Sequence, residues 1–123
     1  MGDLSAHFSA GEFVCRCGHC NGTVDMQPGF IAKLEEARVL SNVPYSITSG
    51  YRCPEHPETL KRPTSSHPKG LAADIHTPTS AQRYAVLYGL IRAGFVRLGI
   101  GNAFIHVDLD EAKAPRVCWD YYE

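Results

Sequence analysis

Apolar and polar positions change their period several times along this chain. From Asp25 to Asn42, Phe30, Ile31, Leu34, Ala37 and Leu40 or Ser41 recur every three to four residues, the spacing of a helix with one face on a core. Asp25 is the expected N-cap, and Pro28 suits the first turn. Val43, Tyr45 and Ile47 then alternate with their neighbours, predicting a short strand that breaks at Ser49-Gly50. Residues 52–70, with four prolines, predict a long loop, a feature that in a compact domain often serves function. Residues 71–77 (LAADIHT) read as a buried strand. Residues 79–94 read as a second helix, capped by Thr79 or Ser80, with Tyr84, Leu87, Tyr88 and Ile91 as its predicted core stripe. Residues 95–101 and 103–110 predict two strands joined by a tight turn at Gly101-Asn102. This order predicts an α+β fold, a small antiparallel or mixed sheet with helices packed on one side.

Composition narrows the picture. At 123 residues the chain has the size of one domain, so residues 1–123 are expected to share a single core. Lys and Arg number 12 against 13 Asp and Glu, a net charge of -1, which removes any general attraction to nucleic acid or anionic membrane. No apolar run reaches the roughly 20 residues that span a bilayer, and the N-terminus lacks the basic-then-apolar layout of a signal peptide. Synthesis in the cytoplasm without a signal peptide and no membrane insertion are therefore expected, and a monomer is expected as well. What stands out is five cysteines and six histidines, the residue types that bind transition metals.

The chemistry concentrates in two segments, Ser65–Asp74 and Phe104–Asp108. Residues two apart on a strand share a face, so Asp74 can point with His76, and His106 with Asp108. If the two strands are neighbours, imidazoles and carboxylates converge. Two histidines and a carboxylate are a recurring ligand set for catalytic zinc, leaving a position for water or substrate. Singly, His67 reads better as a solvated loop residue and Asp74 as a paired strand carboxylate. Burying Asp74, His106 and Asp108 among apolar neighbours without partners would be costly, which weighs against reading all of them so. Cys15, Cys17 and Cys20, with His19 among them, suit a second, structural zinc site, disulfides or buried thiols; Cys53 and Cys118 stand apart. His56 and His76 read as structural or solvated.

Ser65, His67, Gly70, Ala72 and Asp74, followed by His106, match an S-x-H-x-x-G-x-A-x-D pattern with a later histidine. With Ser49-Gly50-Tyr51-Arg52, Gly99-Ile100-Gly101 and the opening HFSAGEFVCRCGHC, the chain resembles the zinc D-alanyl-D-alanine carboxypeptidases and related peptidoglycan peptidases, which share a fold with the hedgehog signalling domain. The likeness runs from about residue 7 to Trp119, and the opening resembles the one common in the small phage and prophage branch. It implies a catalytic zinc ion on His67, Asp74 and His106, with Arg52 contacting substrate or stabilising charge and Ser65 binding substrate or shaping its turn. Several branches carry an acid three residues before the last histidine, where this chain has Ala103. Asp108 is then the candidate general base, and orientation of an imidazole is its other role. The implied activity is cleavage of the peptidoglycan stem peptide, by a carboxypeptidase or an endolysin-type endopeptidase acting on the cell wall after release or phage delivery. The alternative is an inactive zinc-binding module on the same fold that binds cell-wall peptide or a protein. A nucleic-acid partner is not expected.

Overall fold

The protein's structure, a computed structural model, describes residues 4–15, 25–53 and 65–121. Helices α1 (Pro28–Ser41) and α2 (Ser80–Arg92) pack on one face of a five-stranded mixed sheet, the α+β arrangement expected from the order of elements. Its strands are β1 (Ile47–Ser49), β2 (Ala72–His76), β3 (Arg97–Ile100), β4 (Phe104–Asp108) and β5 (Val117–Asp120), in spatial order β1-β2-β4-β3-β5. Neighbours are antiparallel except β3 and β5, which run parallel. Among the described residues, no helix is long and apolar enough to cross a membrane.

The first helix starts later than the sequence suggests. Gln27, not Asp25, is its N-cap, held extended at φ -70° and ψ 130° because the ring of the following Pro28 disfavours helical backbone before it. Ser41 rather than Leu40 takes the last buried position, and Asn42 ends the helix in the left-handed region at φ 58°. The N-terminal segment is tied to this helix at Glu35, which accepts from Ser5 Oγ at 2.7 Å and from the His7 amide at 2.6 Å.

The second helix corrects the predicted stripe. Thr79 caps it, accepting from the Gln82 amide, but its buried residues are Val86, Gly89 and Leu90. Tyr84, Tyr88 and Ile91 are exposed, and only Leu87 of the predicted four packs partly against the core. Gly89 explains the difference. A Cβ there would stand 1.9 Å from Ser41 Oγ and 2.3 Å from the Ala37 carbonyl oxygen, so the helices cross almost backbone to backbone, at a residue that carries no apolar signal.

The hairpin of β3 and β4 forms as predicted, closed by a hydrogen bond from the Gly101 amide to the Phe104 carbonyl at 2.8 Å. Strand β5 was not foreseen; it is short and largely exposed, and pairs parallel with a strand some 20 residues earlier. Register then sorts the side chains. Ala73 faces Val107 and Ile75 faces Ile105 toward the helices, while Asp74 faces His106 and Ala72 faces Asp108 on the opposite side.

Candidate metal centre

The three residues expected as ligands come together from two kinds of backbone. Asp74 and His106 sit directly opposite each other at the centre of the β2–β4 pair. His67 opens a single 3-10 turn, His67–Lys69, that precedes β2. Gly70 closes this turn at φ 71°, a left-handed conformation, with its amide donating to the His67 carbonyl at 3.1 Å. A Cβ on Gly70 would meet the Asp25 carbonyl oxygen at 2.0 Å, so the turn also needs a glycine to lie against the approach to α1. The result brings one ligand atom from each of His67, Asp74 and His106 to within 4.8 Å of one another.

Hydrogen bonds fix which ring nitrogens face inward. His67 Nδ1 donates to the Gly50 carbonyl at 2.6 Å, leaving Nε2 toward Asp74 Oδ1 at 3.6 Å. On His106, Nε2 donates to Asp108 Oδ2 at 2.8 Å, leaving Nδ1 at 2.9 Å from Asp74 Oδ1. His106 thus has a carboxylate at each ring nitrogen. A neutral imidazole has one N–H and cannot satisfy both, so a cation is needed on Nδ1, either a proton or a metal ion. Burial opposes the charge on His106, yet hydrogen bonds to Asp108 and Asp74 outweigh it and raise its pKa. Burial likewise opposes ionisation of Asp74, but the two imidazoles beside it, His106 first, hold its carboxyl well below the usual range. Two inward nitrogens, an anionic oxygen and anchored outer nitrogens fit a divalent transition metal ion.

Arg52 reaches the same group, its Nη2 donating to Asp74 Oδ2 at 3.3 Å. Ser65 Oγ accepts from the His67 amide at 3.2 Å and so shapes the turn. Asp108 touches the group only through His106. Its Oδ2 takes Nε2, while Oδ1 takes Arg97 Nε at 2.7 Å and the Asp110 amide at 3.1 Å. Burial opposes its ionisation, and hydrogen bonds led by that of His106 keep its pKa low. Ala103 lies in the β3–β4 turn, with its carbonyl accepting from the Thr77 amide. His76 is exposed at the end of β2 and is not part of the group. Of the cysteines, Cys15 and Cys53 are buried together beside Tyr51, with the Cys53 amide donating to Cys15 Sγ at 3.2 Å, and Cys118 is exposed on β5. Cys17, Cys20, His19 and His56 lie outside the described residues.

Several participants were not singled out from sequence. Trp119 on β5 brings its ring to 5.6 Å from that of His106 and lies under the Arg97 guanidinium at 4.9 Å. Gly99, between them on β3, leaves the space, since a Cβ there would be 2.7 Å from Trp119 Nε1. Buried Ser66 and Asp110 form a polar node with the exposed Lys69 beside His67. That Trp119 is the one tryptophan was a signal available in the sequence; nothing there pairs Ser66 with Asp110.

A protein-family model described as Peptidase M15 matches residues 6–108, most of the chain. No curated protein matches it.

Proposed function

The chain belongs to the peptidase M15 family, and from that membership we propose that it is a zinc metallopeptidase hydrolysing a peptide bond in the peptidoglycan stem peptide, as a D-Ala-D-Ala carboxypeptidase or an endolysin-type endopeptidase. The observation that carries this reading is the inward convergence of His67 Nε2, Asp74 and His106 Nδ1 while both outer ring nitrogens are already engaged. When bound there, zinc supplies Lewis acidity to a peptide carbonyl and lowers the pKa of water toward about 7.

The chain's own residues prepare the site. Gly50 and Asp108 hold the outer N–H groups of His67 and His106, keeping the inner nitrogens as acceptors. In this reading Asp108 acts through His106 rather than on the attacking water. Arg52, always charged and able to grip a carboxylate with two N–H groups, takes the substrate's carboxylate or the carbonyl oxygen as it gains charge. Ser65 orders the turn and presents a hydroxyl beside it. The proposed place of action is the cell wall, reached after release or by phage delivery.

A second reading, a metal-holding module without catalysis, is favoured by two details. Ala103 stands where several branches carry an acid, and both oxygens of Asp108 already have partners. One experiment separates the readings: zinc-loaded protein, with and without a chelator, is incubated with muropeptides and the products are weighed by mass spectrometry. Loss of a terminal D-alanine marks the carboxypeptidase, and a cut within the stem marks the endopeptidase. Intact muropeptides alongside stoichiometric zinc would sink the enzyme reading in favour of the module.

A further inference from the structure

Asp110 lies two residues beyond β4 and is 3% exposed. Its Oδ2 accepts from Ser66 Oγ at 2.8 Å and from Lys69 Nζ at 2.9 Å, while Oδ1 accepts from Lys69 Nζ and the Ala112 amide, each at 3.1 Å. Lys113 Nζ stands 3.7 Å from Oδ2 and donates to Ser66 Oγ at 3.0 Å. In the other direction, the Asp110 amide donates to Asp108 Oδ1, and Asp108 Oδ2 holds His106. One residue therefore connects the segment carrying His67 to the carboxylate that orients His106.

We propose that Asp110 is a positioning residue for the metal centre: it clamps the turn carrying His67 against the strand carrying His106, and so sets the distance between the two imidazoles. This rests on the metal-binding reading above. The turn needs such a clamp because a single 3-10 turn has weak internal hydrogen bonding, here only Lys69 to Ser66 and Gly70 to His67, both at 3.1 Å. Residues of β2 and β4 have a ladder to fix them; His67 does not. An anion suits the position, since two ammonium groups, a hydroxyl and an amide converge on it. An asparagine would turn an N–H donor toward one of them.

The test uses Asp110→Asn and Ser66→Ala, the second cutting the link next to His67 while leaving the carboxylate in place. Long-range proton–nitrogen spectra of the metal-free protein read the His67 tautomer. The parent is expected as Nδ1–H, bonded to Gly50, and the variants as a mixture. Titration with Co2+ reads affinity and the visible d–d band, and each variant is expected to bind about tenfold to a hundredfold more weakly with an altered band. Folded variants that keep the parent tautomer, affinity and band overturn the proposal. If Asp110→Asn does not fold, Ser66→Ala decides on the same measurements. A parent that takes up no Co2+ would defeat the metal-binding reading instead, and the tautomer would still decide the role of Asp110.

Discussion

The two faces of β2 and β4 are made from alternate residues of the same five-residue runs, yet they are stabilised in different ways. Toward the helices, Ala73, Ile75, Ile105 and Val107 are each 0% exposed and packed by apolar neighbours. On the other face, Asp74, His106 and Asp108 are buried almost as deeply, at 8%, 8% and 1%, but every one is held by hydrogen bonds and opposite charge. Burial alone does not distinguish a core from a site. What replaces water does: close-packed but non-directional apolar contact on one face, and on the other a set of directional partners that fails if one member is missing. A shift of register by one residue would exchange the faces, so the apolar face also enforces the alignment of Asp74 with His106.

The comparison is broken most severely at His67. His67→Ala is expected to weaken metal binding about a thousandfold or more, roughly 4 kcal/mol, and to abolish stem-peptide hydrolysis. Metal content after dialysis checks this, and retained stoichiometric metal would remove His67 from the ligand set. On the other face, Ile75→Ala is expected to cost about 3 kcal/mol in urea unfolding through the cavity it leaves, while the folded fraction keeps its metal. Loss of metal in step with stability would show that the faces are not separable. Asp108→Asn sharpens the contrast within the site, because it keeps volume but removes the charge that holds His106 Nε2. An affinity loss of about tenfold to a hundredfold by calorimetric titration is expected, together with a lower melting temperature because Arg97 loses its buried carboxylate partner.

The smallest effect lies outside both faces, at Glu35. Burial opposes ionisation of this carboxyl, but hydrogen bonds from Ser5 and His7 outweigh it and hold the pKa below the ordinary 4.5. A depressed carboxyl contributes its full stability above the unfolded value and loses it as pH falls through the folded one. Glu35→Gln should therefore cost about 1 kcal/mol at neutral pH. The gap in melting temperature from the parent should close as pH drops below the ordinary carboxyl value. A gap that persists in acid would rule out the carboxylate as its cause.

Sequence made the strands of the site legible and the helix packing less so. Alternation over Ala72–His76 and Phe104–Asp108 has a period of two, and an acid or imidazole among apolar residues there announces a partner. The stripe of α2 was misread because Tyr84, Tyr88 and Ile91 are the conspicuous apolar residues, whereas the helix crossing is made by Gly89, which hydropathy does not weigh. Strand β5 was missed because its parallel partner is far along the chain and its own pattern is exposed. The residues expected as metal ligands were found from spacing and resemblance. The clamp on His67 was not, because Ser66 and Asp110 are 44 residues apart and only the fold makes them neighbours.

The parallel strand β5 also bears on solubility. Lying outside β3, it covers the backbone edge that the β3–β4 hairpin would otherwise present, and replaces it with a strand of only four residues ending at Asp120. A short edge with an acidic end is a poor template for a second chain to extend. Shortening the chain before Val117 would thus uncover an edge beside Leu98 and Ile100. Such a chain would lose the Trp119 wall of the site and gain a surface prone to self-association.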